Sequence, residues 1–231
     1  MKGMEYTITR KHHRKTISIV ILPDKSIEIR APFYFNDREI DSFASSKREW
    51  IARRISELNT AEYTRPHHQY IQGENFLFMG KHYSLELNRG RRGVVISGRS
   101  LFVTAPTDTT DCFDKEVVKA ILQDFFISKA REILRLKTTE TGKLYNMQPV
   151  FISVKDYRSR WGCCFSDGRI FYNWKIIFAP ETIIDYVVTH ELCHLRMPNH
   201  SKKYWELVGK IIPDWQEKRK WLRMNSHALD L

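Results

Sequence analysis

The chain has 231 residues, of which 42% are hydrophobic and 28% are charged. This composition is typical of a globular protein and excludes collagen-like, coiled-coil and wholly disordered chains. Lysine and arginine outnumber aspartate and glutamate by 38 to 27, a formal net charge of +11, which fits either an anionic partner such as nucleic acid or a basic surface with no specific partner.

The cysteines and the apolar segments indicate the cellular compartment. Four cysteines are too few and too unevenly spaced for a disulfide framework. The first 15 residues contain no apolar stretch of the kind found in a signal peptide. No window of about 18 residues is free of charge, so we expect no membrane contact and a cytoplasmic location.

The first third of the chain predicts strands around one helix. Short β-branched runs predict strands at residues 6–10, 16–22 and 26–31. Asn36 precedes Glu39 by three residues, which is the spacing of a capping box. Apolar residues at helical spacing follow, and they predict one helix that ends near Asn59.

The following segment predicts more strands. These lie at residues 75–79, 82–87, 94–97 and 101–104. The turn at residues 89–92 contains three arginines, which fits either a solvated hairpin tip or a contact with an anion. We therefore predict an α+β protein with a β-rich N-terminal domain over residues 1–107 and a second domain over residues 108–231.

The second domain opens with the longest helical pattern, at residues 111–137, whose wide apolar face predicts a central core helix. Strands are predicted at residues 150–154 and 169–173, with a turn at 158–162 between them. Pro180 begins another helix that continues to about residue 196. Ser201 and Asp214 are predicted to cap two further helices.

One motif in the helix after Pro180 carries metal chemistry. His190 and His194 are four residues apart, so both imidazoles lie on the same face and can bind one metal ion. Glu191 follows the first histidine and is placed to act as a base on a water beside that ion. The alternative is a pair of histidines that are hydrogen-bonded in a core.

A catalytic zinc ion needs a third protein ligand. His200 is the best candidate, because the helix ends before it and a tight turn can bring it back toward the metal. Downstream alternatives are Glu206, Asp214 and Glu217. Cys193 lies within the motif but off the metal-binding face, and we expect it to be a small buried residue.

Several motifs between residues 157 and 222 resemble those of the YgjP-like metallopeptidase family, which is related to the SprT and WLM zinc-protease domains. These motifs are RSRWGCC (158–164), NW (173–174), HELCHL (190–195), NHS (199–201), YW (204–205) and PDW (213–215). The resemblance implies a zincin-like domain with an active-site helix and a mixed or antiparallel sheet. It also implies that His190, His194 and His200 bind zinc and that Glu191 is the general base.

Candidate substrate-binding residues flank this motif. Arg158 and Arg160 either bind an anionic group near the metal or form structural salt bridges. By analogy with zincins, residues 169–173 form the edge strand that pairs with an extended substrate, and this places Asn173 at the substrate.

These observations leave three functions open. The first is a zinc metallopeptidase that acts on peptides or proteins, with DNA as an additional contact through the basic surface. The second is a zinc-dependent nucleotide phosphohydrolase that releases pyrophosphate, although the chain has no glycine-rich phosphate loop. The third is a nucleic-acid-associated or protein-binding module with a structural zinc ion, which would have four protein ligands and no open position.

Overall fold

The computed structural model describes residues 5–22, 24–60, 66–106 and 113–231. It has a mixed α+β fold, as the sequence predicts, with six α-helices and three sheets among these residues. The chain divides into two compact units, Met1–Thr64 and Arg65–Leu231. None of the described helices is both long enough and apolar enough to span a membrane.

This division differs from the domain boundary predicted after residue 107. The strands before that residue share one core with the helices after it, since Leu85 and Val103 belong to the same buried cluster as Leu122 and Val188. The alternation of polar and apolar residues shows that a strand buries one face. It does not show which element covers that face, so the sequence misplaces the division between compact units.

The first unit contains a three-stranded sheet and two helices. The elements are β1 (Thr7–Lys11), β2 (Ser18–Ile21), β3 (Ile27–Pro32), α1 (Asp37–Ser46) and α2 (Arg48–Thr60). Strand β3 is central, parallel to β1 and antiparallel to β2. Its alternate residues Ile27, Ile29 and Ala31 are buried in one cluster with Ile40 and Ile51 of the helices.

The predicted helix after Asn36 is interrupted. The capping box is present, because the Asn36 side chain accepts the Glu39 N–H at 2.9 Å and the Glu39 carboxylate accepts the Asn36 N–H at 2.8 Å. The Lys47 N–H then bonds to the carbonyls of Ala44 and Ser45 and ends α1. Helix α2 begins at the next residue. The apolar periodicity does not record this one-residue break, so the sequence predicts a single helix.

The second unit contains two sheets around a long central helix. The first sheet consists of β4 (Asn75–Phe78), β5 (Lys81–Arg89), β6 (Gly93–Ser97) and β7 (Ser100–Ala105), in the order β4-β5-β7-β6. The second sheet consists of β8 (Phe151–Lys155), β9 (Gly162–Cys164) and β10 (Arg169–Asn173), in the order β8-β10-β9. Helix α3 (Lys115–Leu144) is longer than predicted, and its buried residues include Val118, Phe126 and Leu134.

The C-terminal part carries the remaining helices. They are α4 (Glu181–Cys193), α5 (Lys202–Ile211) and α6 (Trp215–Asn225). A buried 3-10 helix at Trp174–Phe178, which the sequence does not predict, precedes α4. Ser201 caps α5 as predicted, because its hydroxyl accepts the Tyr204 N–H. Asp214 precedes α6 but makes no side-chain cap bond.

The turn between β4 and β5 fixes the start of α4. The N–H groups of Met79 and Gly80 donate to the carbonyls of Ile177 and Phe178 at 2.8 and 3.1 Å. Gly80 has a φ of +72°, and a Cβ there would lie 2.8 Å from the Cα of Pro180. This close backbone contact connects the four-stranded sheet to the helix that carries the predicted metal site.

Candidate metal centre

The end of α4 brings the motif histidines together. His190 lies in the last turn of the helix and His194 is its C-terminal cap. The Met197 N–H bonds to the Cys193 carbonyl at 3.0 Å, which turns the chain immediately after the helix. As predicted, this turn returns His200 to the same place as the two histidines of the helix. Cys193 is fully buried, also as predicted.

The three histidines form a compact cluster. One ring nitrogen from each of His190, His194 and His200 can be chosen so that all three atoms lie within 4.8 Å of one another. The Nε2 atoms of His190 and His200 are 3.1 Å apart. Among the described residues this is the single group of three or more histidine, cysteine or carboxylate side chains arranged to hold a metal ion.

The three alternative ligands lie outside this cluster. Glu206 is an exposed residue that pairs with Lys202 at 4.0 Å. Asp214 accepts a hydrogen bond from Lys218 at 2.6 Å. Glu217 is exposed in the first turn of α6. The arrangement in space therefore favours His200 over all three carboxylates as the third ligand.

The histidines are held in the neutral form that a metal requires. Burial, followed by the neighbouring histidines and Arg219, lowers the pKa of His190 to about 3. Burial also lowers the pKa of His194 and of His200. Neutral imidazoles keep a lone pair available for a cation.

The ring nitrogens also fit a bound cation. The His194 Nδ1 lies 3.0 Å from the Met197 carbonyl, and since a carbonyl only accepts, Nδ1 carries the proton and Nε2 keeps its lone pair. The buried Nδ1 of His190 has no hydrogen-bond partner among the described residues. Nitrogen ligands bind zinc at 2.0–2.1 Å, so a shared ion needs ligand atoms roughly 3–4 Å apart. The Nε2 atoms of His190 and His200, 3.1 Å apart, meet this requirement, and all three candidate atoms lie within 4.8 Å of one another.

Glu191 is buried between α4 and strand β9. Only 5% of its surface is exposed, and burial raises the pKa of its carboxyl group to about 8, against the opposing effects of the Cys164 N–H and the Arg160 charge. An ideal Cβ built on Gly162 would lie 2.4 Å from the Glu191 Oε1. Because Gly162 has no side chain, strand β9 leaves space for the Glu191 carboxylate.

The prediction that residues 169–173 form an edge strand is wrong. Strand β10 lies in the middle of its sheet, hydrogen-bonded to β8 on one side and to β9 on the other. The edge strand beside α4 is β9, which the sequence does not predict; its first residue, Gly162, falls in the predicted turn at residues 158–162. Three residues between turns are too short to show the period-two alternation from which strands are predicted.

The three predicted substrate-binding residues differ in their positions. Asn173 is buried, and its amide donates to the carbonyls of Tyr157 at 2.8 Å and Arg160 at 3.4 Å. The Asn173 side chain therefore holds the loop before β9 in place through these two hydrogen bonds. Arg158 and Arg160 are exposed, and the Arg160 guanidinium reaches the Cys163 Sγ at 3.5 Å. A substrate contact by either arginine stays a prediction.

Aromatic residues of α5 support the cluster, and the sequence predicts no site role for them. The Tyr204 hydroxyl donates to the His190 carbonyl at 2.9 Å, and its ring stacks on His194 with centroids 4.5 Å apart. The Trp205 ring is nearly parallel to the His200 ring at 5.4 Å. The one available signal is their position in the first turn of α5, close in sequence to His200.

Comparison with known proteins places this geometry in a family. The sequence model of the YgjP-like metallopeptidase domain matches residues 15–225. No curated protein matches the chain. The match extends over nearly the whole sequence and includes all three histidines and the buried glutamate. The chain therefore belongs to the family of YgjP-like metallopeptidase domains.

Proposed function

We propose that this chain is a zinc-dependent metallopeptidase that hydrolyses peptide bonds with Glu191 as its general base. The observation that carries the proposal is the convergence of three neutral histidines beside a buried carboxylate. His190, His194 and His200 would hold the ion. Zinc bound there would polarise the scissile carbonyl and lower the pKa of a coordinated water.

Glu191 performs the proton transfers in this mechanism. Its carboxylate takes a proton from the attacking water and later delivers it to the nitrogen of the leaving amine. The N–H of Cys164 holds the carboxylate in place. A raised pKa makes Glu191 a stronger base once it is ionised, and the positive charge of a metal ion on the neighbouring histidines would favour the ionised form.

Strand β9 is suited to bind the backbone of the substrate. Cys163 pairs with Phe171 of β10, and the flanking bonds from Asn173 to Trp161 and from Phe165 to Arg169 face the same way. The backbone groups of the intervening residue Gly162 therefore point away from β10. A peptide strand that pairs with them would pass beside Glu191.

The experiment compares wild type with Glu191→Gln. We expect the variant to keep its zinc, measured by inductively coupled plasma mass spectrometry, and to lose at least about 10²-fold in peptide hydrolysis because it has no base. Glu206→Gln, which removes a negative charge from the exposed surface of α5, is the matched control and should keep wild-type activity.

Two results would contradict the proposal. Full hydrolysis by Glu191→Gln would exclude Glu191 as the base. Release of pyrophosphate from a nucleotide panel by wild type, with no cleavage of a peptide library, would favour a nucleotide phosphohydrolase.

Chelation should remove peptide hydrolysis, and added zinc should restore it. Binding of DNA by the basic surface stays a prediction, which the salt dependence of any binding would test.

A further inference from the structure

An exposed arginine of α6 lies beside the aromatic residues that support the histidine cluster. The Arg219 guanidinium carbon is 5.0 Å from the centroid of the Trp205 ring. That ring is 5.4 Å from His200 and 4.1 Å from Trp215, and it is inclined to them by only 20° and 16°. Trp205 is therefore fixed by two rings, and it links Arg219 to the third candidate ligand.

Arg219 can still bind a ligand. Within the part of the chain that the structure describes, no carboxylate lies within ion-pairing distance of it, and its guanidinium lies over the Trp205 ring. A guanidinium has five N–H donors in one plane, so a contact with a single ring leaves donors for a ligand. The contact with Trp205 also limits the rotamers of Arg219, so fewer are lost on binding.

The charge of Arg219 acts on the candidate site. It contributes to the lowered pKa of His190 and of His200, after the larger effects of burial and of neighbouring histidines. Arg160 acts on Glu191 from the side of β9. Two exposed cationic side chains thus act on the histidines and on the glutamate beside them, and such a field attracts an anion.

We propose that Arg219 is a specificity-determining residue that binds a carboxylate of the peptide substrate beside the scissile bond. This inference rests on the proposed peptidase function. A planar guanidinium matches a carboxylate through two parallel N–H···O bonds, which a neutral amide cannot replace with equal strength. The carboxylate belongs either to an aspartate or glutamate side chain or to the free C-terminus of the peptide.

Matched peptides distinguish these two sources. One set exchanges glutamate for glutamine on either side of the cleaved bond, and a second exchanges a free C-terminus for an amide. We expect wild type to prefer one charged member of a pair, and Arg219→Met to lose on the order of 10- to 100-fold in kcat/KM for that member alone. Lys220→Met removes the next positive charge of α6 and should leave kcat/KM unchanged for both peptides of a pair.

A binding measurement separates this inference from the proposed function. Calorimetry measures the affinity of each peptide for the Glu191→Gln variant, with and without Arg219→Met. Arg219→Lys should retain only part of the preference for the charged peptide, because an ammonium group cannot form two parallel hydrogen bonds with a carboxylate. If wild type cleaves no peptide, the peptidase proposal fails. If both peptides of every pair bind and react equally in wild type, or if Arg219→Met keeps the preference, the role of Arg219 is refuted.

Discussion

Replacement of Gly162 by alanine places a methyl group in the space of the Glu191 carboxylate. The added Cβ would lie 2.4 Å from Oε1 and 2.6 Å from both Cδ and Cγ. Nonbonded carbon atoms sit at about 3.5–4.0 Å, so the side chain has to move by roughly 1 Å. The buried Glu191 would also lose its geometry with the Cys164 N–H.

We expect this change to remove most of the activity and little of the fold. A misplacement of about 1 Å in a catalytic group costs about 10²-fold in rate, and overpacking of a buried position costs about 1–3 kcal/mol in the free energy of unfolding. The assays are kcat/KM on a peptide substrate, zinc content and thermal denaturation. Zinc content should stay at the wild-type level, because the three atoms nearest to the new methyl group all belong to Glu191.

Gly93→Ala is the matched control. Gly93 begins β6, and a Cβ there meets only the Arg91 carbonyl oxygen at 3.8 Å, an ordinary contact. This variant should retain wild-type activity. A folded Gly162→Ala protein with zinc and full activity would refute the argument, because it would show that Glu191 works from a position the methyl group does not reach.

Two further predictions concern stability in the second unit. Gly80→Ala should destabilise the protein by about 1–3 kcal/mol. The added Cβ would meet the backbone of Pro180, and the φ of residue 80 is positive. The melting temperature should therefore fall, and an unchanged melting temperature would contradict this prediction. Glu74 accepts hydrogen bonds from His68 and from the N–H groups of Gln69 and Ile71. Burial raises the pKa of the Glu74 carboxyl group, but these bonds outweigh burial and hold the pKa below its ordinary value of 4.5. Its carboxylate therefore stabilises the fold above that value and ceases to do so as the pH falls through the lower pKa of the folded state. The difference in melting temperature between wild type and Glu74→Gln should be full at neutral pH and should shrink in acid, whereas a difference that is constant with pH would exclude this role.

The histidine cluster was predictable because its information is local. Two histidines one helical turn apart are fixed relative to each other once the helix forms. His200 follows a helix end that Pro198 makes easy to predict. The chain between them is short, so few alternative arrangements exist.

The features that the sequence did not reveal depend on contacts between distant segments. Strand β9 exists because β10 pairs with it, and Asn173 is buried because the loop before β9 folds over its amide. Arg219 approaches the cluster only because two tryptophans ten residues apart stack against each other. Such pairings are set by the tertiary structure, which overrides local pattern.

The stack of Trp205 on His200 gives the protein an internal optical probe. An indole in contact with a ligand ring changes its emission when that ring binds a cation, and a paramagnetic ion such as Cu²⁺ or Co²⁺ quenches it strongly. Titration of the metal-free protein in a fluorimeter would thus report occupancy of the cluster, without any knowledge of a substrate.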